Sequence, residues 1–510
     1  MLHVVEDREQ SDLPPREGIV SGTGFSLVVQ VTTTIFTAVL TLYLVHALGP
    51  QSYGVFGLAL GASTIAILLA DLGVSHSTAR FVAERLDKRS VVGAILADAL
   101  RLRLVLATIV EIALVALAEP IAAAYGEPDL AWALRGMALA VFFQSVLMLY
   151  LESFTAMGRI SRNVRIILIE SFAETTTSIA LVALGAGAAG ATFGRAIGYA
   201  IGAAAAVAVA TRLIGRSAFR LRGASAGDSH LRAIAAYALP LLVTNSAYAL
   251  YSTADILLIG ALLTTTAVGL FSAPLRLTVF MGALGLAVAS AVAPRLARHR
   301  DDPSAVVALR RALRYLVMFQ AVMIAPLVVW AEPIVSLLLG PDYADSADVL
   351  RGLTPYVFLL GLGPLITMSV NYLGRAGRRI PIVLGALAIN VAIDVALLRD
   401  WGIVAAAMGT SVAYLIYVPA HLYLCRQSVT IPLGPLALTL ARSLLAAGVM
   451  AGVLALAGTS ELSVVAWIVG GVGGVLSYVA VLVASGELRL HELRRVAGAA
   501  RGHFGVAAAN

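Results

Sequence analysis

Fourteen stretches of the chain are apolar enough, and about long enough, to cross a bilayer, and this limits the fold more than any other feature. They run over 22–47, 53–75, 97–118, 132–156, 164–186, 188–214, 234–262, 266–293, 315–339, 353–373, 380–398, 403–424, 436–458 and 463–485. A hydrocarbon core of ~30 Å takes ~20 helical residues. The stretches are continuously apolar and rich in Ala, Leu and Gly, without the alternation of a membrane strand. The expected fold is therefore an all-α polytopic membrane protein of about 14 transmembrane helices rather than a barrel. With 60% hydrophobic and 13% charged residues, against about 45–50% and about 25% in soluble domains, a water-soluble globule of 510 residues is excluded.

Arginine placement orients the helices. With the N-terminus inside, the inner connections carry clusters such as Arg80, Arg85 and Arg89, then Arg212, Arg216 and Arg220, then Arg295, Arg298 and Arg300. On this assignment only Arg135, Arg351 and Arg399 fall outside, Arg195, Arg276 and Arg442 fall within spans, and arginines at inner span ends are counted with the inner connections. Such asymmetry follows the positive-inside rule, so both termini are expected in the cytoplasm. The formal charge of +7 then reports topology, and no nucleic-acid partner is expected. The four tryptophans map near outer helix ends, as an interfacial belt would. A lone cysteine, Cys425, allows no internal disulfide. The scattered histidines give no metal site, and neither a cofactor nor a catalytic residue is expected.

The two halves of the chain repeat each other at an offset of about 215 residues. AEPI occurs at 118–121 and again at 331–334. Leu134-Arg135-Gly136 returns as Leu350-Arg351-Gly352, and Met157-Gly158-Arg159 as Leu373-Gly374-Arg375. Gly54-Val55-Phe56 and Arg80 match Gly269-Leu270-Phe271 and Arg295, and Gly194 with Tyr199 matches Gly409 with Tyr414. Each unit holds six spans, so the expected architecture is two parallel six-helix repeats plus two C-terminal helices. The organisation expected is a cytoplasmic tail (1–21), an N-terminal bundle (22–214), a cytoplasmic linker (215–233), a C-terminal bundle (234–426), two additional transmembrane helices (427–488) and a cytoplasmic tail (489–510). Paired bundles of this kind usually enclose a cavity that opens alternately to each face.

Several stretches resemble a known family. LGPQSYGVFGLALGASTIAILLADLGVSHSTARFVAE (48–84) is similar to the signature region of polysaccharide-export flippases, as is ADILLIGALLTTTAVGLFSAPLRL (254–277). LLLGPDYADSADVLRGL and VNYLGRAGRRIPIVLGALAINVAIDVALL resemble the matching C-terminal region. Together they look like the Wzx-type oligosaccharide flippases of the multidrug/oligosaccharidyl-lipid/polysaccharide exporter superfamily. That resemblance implies a bacterial inner-membrane protein, not an enzyme, that moves an undecaprenyl-diphosphate-linked oligosaccharide to the outer leaflet by alternating access. It further implies membrane lipids, a polysaccharide polymerase and export machinery as partners.

Charge inside hydrocarbon is costly, so embedded ionisable residues are functional candidates. Arg195 and Arg276 lie at similar depth, and guanidinium offers paired donors to phosphate oxygens; an internal ion pair, as between Arg276 and Asp255, is the competing reading. Glu170 and Glu174 share a helix face at i, i+4, which suits either a proton or cation site or a structural partner for Arg195. Asp71 and Arg80 read as a cytoplasmic gate or a fold-holding pair, and Asn390 with Asp394 as a polar face inside the C-terminal bundle. Asn245, Tyr248 and Tyr251 fall on one side of the seventh span, fit for sugar contacts or for a helix interface. Gly361-Leu362-Gly363-Pro364 is the expected bend. A small-molecule or multidrug cation antiporter of the same superfamily is the nearer rival, and a membrane glycosyltransferase or polymerase the more distant one.

Overall fold

The computed structural model describes residues 19–86, 88–215, 249–251, 253–298 and 303–489. Among these residues there is no strand, and long apolar helices carry the chain. In order they are α1 (Ile19–Asp71), α2 (Val74–Ala83), α3 (Arg89–Ala124), α4 (Asp129–Ala156), α5 (Ile160–Ala183) and α6 (Gly187–Ile214). A short apolar helix follows as α7 (Thr253–Leu262). Next come α8 (Thr265–Val292), α9 (Ser304–Val329), α10 (Ala331–Leu338), α11 (Ser346–Gly352), α12 (Thr354–Leu360) and α13 (Gly363–Tyr372). The last are α14 (Ile380–Trp401), α15 (Ile403–Arg426), α16 (Leu433–Ala457) and α17 (Val464–Ala484).

Eleven of the described helices are long and apolar enough to span, or twelve when α12 and α13 count as one bent span. The fold class is thus that of a polytopic helical membrane protein, in which the backbone polar groups of each span's interior are satisfied within its own helix. The expected count of fourteen is not reached among the described residues. The seventh expected span falls partly outside them, and α1 is counted once although Gly49, at φ 66° and followed by Pro50, divides it into two arms.

The helices group into two compact units. The first takes in the described residues of Met1–Arg276 and Val383–Ala406, the second those of Leu277–Ile382 and Ala407–Asn510. In the first, α6 lies against α4 and α5, and α1 against α3, α4 and α5. In the second, α9 lies against α12 and α16, and α16 against α17. Trp330 docks this last pair: it is 4% exposed, and its indole N–H reaches the carbonyls of Leu454 at 3.2 Å and Gly458 at 3.0 Å. It thereby serves orphan carbonyls at the end of α16. Trp132 and Trp401 remain more than half exposed.

Sequence repeats become repeated local structure. Arg135 pairs with Glu119 of the first AEPI at 2.8 Å, and Arg351 pairs with Glu332 of the second at 2.8 Å. Gly158 and Gly374 end α4 and α13 at φ 69° and 76°. In each case the next N–H, from Arg159 or Arg375, bonds back to Phe154 O or Val370 O, the pairing of a glycine C-terminal cap. Gly54 and Gly269, also repeat partners, touch reciprocally: a Cβ on Gly54 would strike the carbonyl of Thr265, and one on Gly269 the carbonyl of Pro50. The bend expected at 361–364 is where α12 and α13 meet at 41°. Buried Gln320 occupies the space a Cβ of Gly361 would need.

Candidate functional site

Three glycines of α6, Gly194, Gly198 and Gly202, recur every four residues and face α5. A Cβ on Gly198 would come within 2.6 Å of Glu174 Cα, and one on Gly202 within 2.8 Å of Glu170 Cβ. Small residues at this spacing let two helices approach closely in a membrane. The approach brings Arg195 and Tyr199 of α6 beside the two glutamates of α5. Arg195 donates to Glu174 Oε1 at 2.5 Å and to the Tyr199 hydroxyl at 2.7 Å, with its guanidinium 5.0 Å from the Tyr199 ring centroid. Glu170, buried at 7% exposure, accepts from Ser171 Oγ at 3.0 Å.

These side chains line a cavity of about 270 Å³ in the first unit. Arg276 of α8 lines it too, its guanidinium 5.7 Å from the Phe56 ring centroid. That range is favourable for a cation over an aromatic face. No ion pair of Arg276 occurs among the described residues. Asp255, its alternative partner from the sequence, instead accepts a hydrogen bond from Asn390. A stripe of hydroxyls on α1, Thr33, Thr37 and Thr41, adds donors at i, i+4 and i+8. Leu44, Leu147, Met148 and Leu151 complete an apolar wall. The cavity thus offers two guanidiniums, two carboxyl groups and several hydroxyls against hydrocarbon.

A second polar cluster in the first unit joins Asp255 of α7 to Asn390 and Asp394 of α14. They are 7%, 1% and 0% exposed. The Asn390 amide donates to Asp255 and, at 3.4 Å, to Asp394 Oδ2. The Asn390 and Asp394 Oδ1 atoms are buried without a hydrogen-bond partner. Two buried carboxyl groups joined through one amide N–H₂ suit a shared proton.

The remaining candidates separate. Asp71 accepts the N–H groups of Gly73 at 3.1 Å and Ser75 at 3.2 Å, so it caps α2, and it is ion-paired with Arg103. Arg103 is 1% exposed and also donates to Ser145 O at 3.0 Å and Ala70 O at 3.1 Å. Arg80 pairs with Glu84 at 3.0 Å on an exposed surface. Tyr251 is buried and does not line the cavity with the arginines. Asn245 and Tyr248 lie outside the described residues. Sequence reasoning missed Tyr199 as a partner of Arg195, the threonine stripe, and Arg103. The G-x-x-x-G-x-x-x-G run from Gly194 was the readable signal for the first of these.

A family model described as polysaccharide biosynthesis protein matches residues 44–348. The chain belongs to the polysaccharide biosynthesis protein family. Among named proteins, the "Probable low-salt glycan biosynthesis flippase Agl15" of Haloferax volcanii is 23% identical over 219 residues, 42% of this chain and 46% of that protein. The match therefore spans less than half of that relative's length. The structure of the lipid II flippase MurJ in an inward closed conformation has a TM-score of 0.72 at 14% identity, covering 91% of this chain and 98% of that one. An inward-facing MATE family multidrug resistance transporter of the MOP superfamily gives 0.64 at 15% identity, covering 79% and 98%. At such identities the likeness establishes the fold, which this family member shares with MurJ and the MATE structures.

Proposed function

We propose that this polysaccharide biosynthesis protein is a flippase for an undecaprenyl-diphosphate-linked oligosaccharide, moving it across the bacterial inner membrane by alternating access for export of a surface polysaccharide. Both termini face the cytoplasm in this reading. The observation that carries it is the cavity holding Arg195 and Arg276. A diphosphate must exchange part of its hydration for fixed donors, and guanidinium supplies them in pairs. Arg276 meets the headgroup directly, whereas Arg195 meets it by exchanging Glu174 for a phosphate oxygen. The hydroxyl stripe of α1 serves the first sugars, and the isoprenoid tail stays in lipid. Asp255, Asn390 and Asp394 form the coupling cluster, and Asp71 with Arg103 holds the fold. A cation antiporter of the same fold is the rival: Arg195 and Arg276 suit an anionic headgroup, whereas Glu170 and Glu174 in the same cavity would suit a cation.

The test is purified protein in liposomes carrying a fluorescent lipid-linked oligosaccharide, with ethidium uptake as a parallel arm. Flipping that falls in Arg276→Ala at equal protein content supports the reading. Drug transport without flipping would overturn it.

A further inference from the structure

The second unit carries a basic corner that neither the cavity nor the coupling cluster uses. Arg310, Arg311 and Arg314 occupy one stretch of α9, just before its apolar run. With Val307, Ile431 and Pro435 they line a separate cavity of about 270 Å³. Arg310 Nε donates to Thr430 O at 2.8 Å, which fixes the guanidinium against the chain entering α16. Arg314 donates to Glu487 Oε1 at 2.8 Å, and Arg442 to Glu487 Oε2 at 3.0 Å. Thr439 also donates to Glu487, at 2.7 Å. Glu487 is 5% exposed, so one buried carboxylate serves two guanidiniums. Arg311 is exposed and has no ion pair among the described residues. Two guanidiniums thus share Glu487, and with Arg310 and Arg311 the corner holds four guanidiniums to one carboxylate among the described residues.

The same corner is apolar at its rim. Val307 is 51% exposed and Leu433 43%, and Pro432 and Pro435 are exposed beside them. The N-cap of α16, Pro432, makes no side-chain cap bond, and a helix N-terminus carries partial positive charge. Soluble phosphate needs charge but no apolar wall, and a neutral lipid needs the wall but no charge. An anionic phospholipid uses both. Its phosphodiester meets the arginines where they leave the apolar part of α9, and its upper acyl chain lies on Val307, Leu433 and Pro435.

We propose that this corner is a binding site for an anionic phospholipid of the phosphatidylglycerol type, drawn from the leaflet that the basic connections face. Such a lipid bridges α9 to α16 at the corner where Glu487 already ties them together.

The test uses full-length protein in mild detergent, titrated by native mass spectrometry with phosphatidylglycerol, phosphatidylcholine or glycerol 1-phosphate. The wild type should retain phosphatidylglycerol in preference to phosphatidylcholine. Arg311→Gln should weaken the tightest phosphatidylglycerol site about fivefold, the factor that one basic residue near an anionic surface supplies. Arg311→Lys should recover most of that loss. Val307→Asn should weaken the lipid without strengthening glycerol 1-phosphate. A photoactivatable phosphatidylglycerol should label peptides from the start of α9 or α16. Unchanged unfolding of Arg311→Gln, whose side chain holds no partner among the described residues, separates lost binding from lost fold. Equal retention of the two lipids, unaltered binding by Arg311→Gln, labelling confined to other helices, or glycerol 1-phosphate binding as tightly as the lipid would each overturn the assignment.

Discussion

Arg195 and Arg276 line one cavity, yet their removal should have different consequences for stability. Arg195 holds Glu174 at 2.5 Å, and the two side chains are only 22% and 13% exposed. Truncating Arg195 to Ala strands that carboxylate where little water reaches it. Breaking a buried pair from one side costs about 3–5 kcal/mol, and the residual exposure sets the expectation for Arg195→Ala at the lower end, about 3 kcal/mol. Arg276 has no acid depending on it among the described residues, and its contact with Phe56 is worth about 1 kcal/mol. Arg276→Ala should therefore be only about 1 kcal/mol less stable than wild type. Removing Glu174 along with Arg195 takes away the stranded charge, so the double alanine variant should regain about 2 kcal/mol. Transport should not return with stability, because the fixed positive charge is still missing. Denaturant unfolding of the purified protein gives the first quantity, and flipping in liposomes the second. A double variant no more stable than Arg195→Ala would refute the claim that Glu174 depends on Arg195, and wild-type flipping in the double variant would refute the transport role.

Gly198→Ala should destabilise by about 1–3 kcal/mol, because its new Cβ meets the backbone of Glu174 and the helices must separate; Gly202→Ala, which meets the Glu170 side chain, should cost less on the same denaturant curve. Asp394→Asn should leave the protein folded but abolish the dependence of flipping on an imposed proton or sodium gradient, measured in the same liposomes. Burial would raise the Glu487 carboxyl, but hydrogen bonds from Arg314, Thr439 and Arg442 outweigh it and hold the group below its ordinary value. Its stabilising contribution is therefore complete above the unfolded carboxylate value of about 4.3 and is lost as pH falls through the lower folded value. Glu487→Gln should remove that acid-side loss, read from unfolding as a function of pH.

The membrane class and most span positions were legible because lipid demands continuous apolar helices and the chain supplies them. Arg195 and Arg276 were legible for the same reason, as charges standing where charge is costly. Arg103 was not. Counted by position it belongs with the basic inner connections, yet α3 begins at Arg89, so residue 103 sits inside a helix. Leu72 and Gly73, both at positive φ, break the helix between Asp71 and Arg80, and Asp71 meets Arg103 while Arg80 pairs with Glu84. Linear distance favoured Asp71 with Arg80, and the turn decided otherwise. The cluster of Asp255, Asn390 and Asp394 was read as separate faces, because no local spacing links residues 135 positions apart.

The reciprocal contact of Gly54 with Gly269 bears on ancestry. A position that touches its own duplicate has the geometry of a self-complementary twofold contact, in which residue i meets j and j meets i. An ancestral chain of half this length, meeting a second copy of itself there, would have needed a single glycine to satisfy both sides. Fusion turned one constraint into two that can change separately. Here both survive, each fixed by a carbonyl of the opposite helix rather than by the other's side chain. At the place where the two copies would have had to fit, neither has room for even one added carbon.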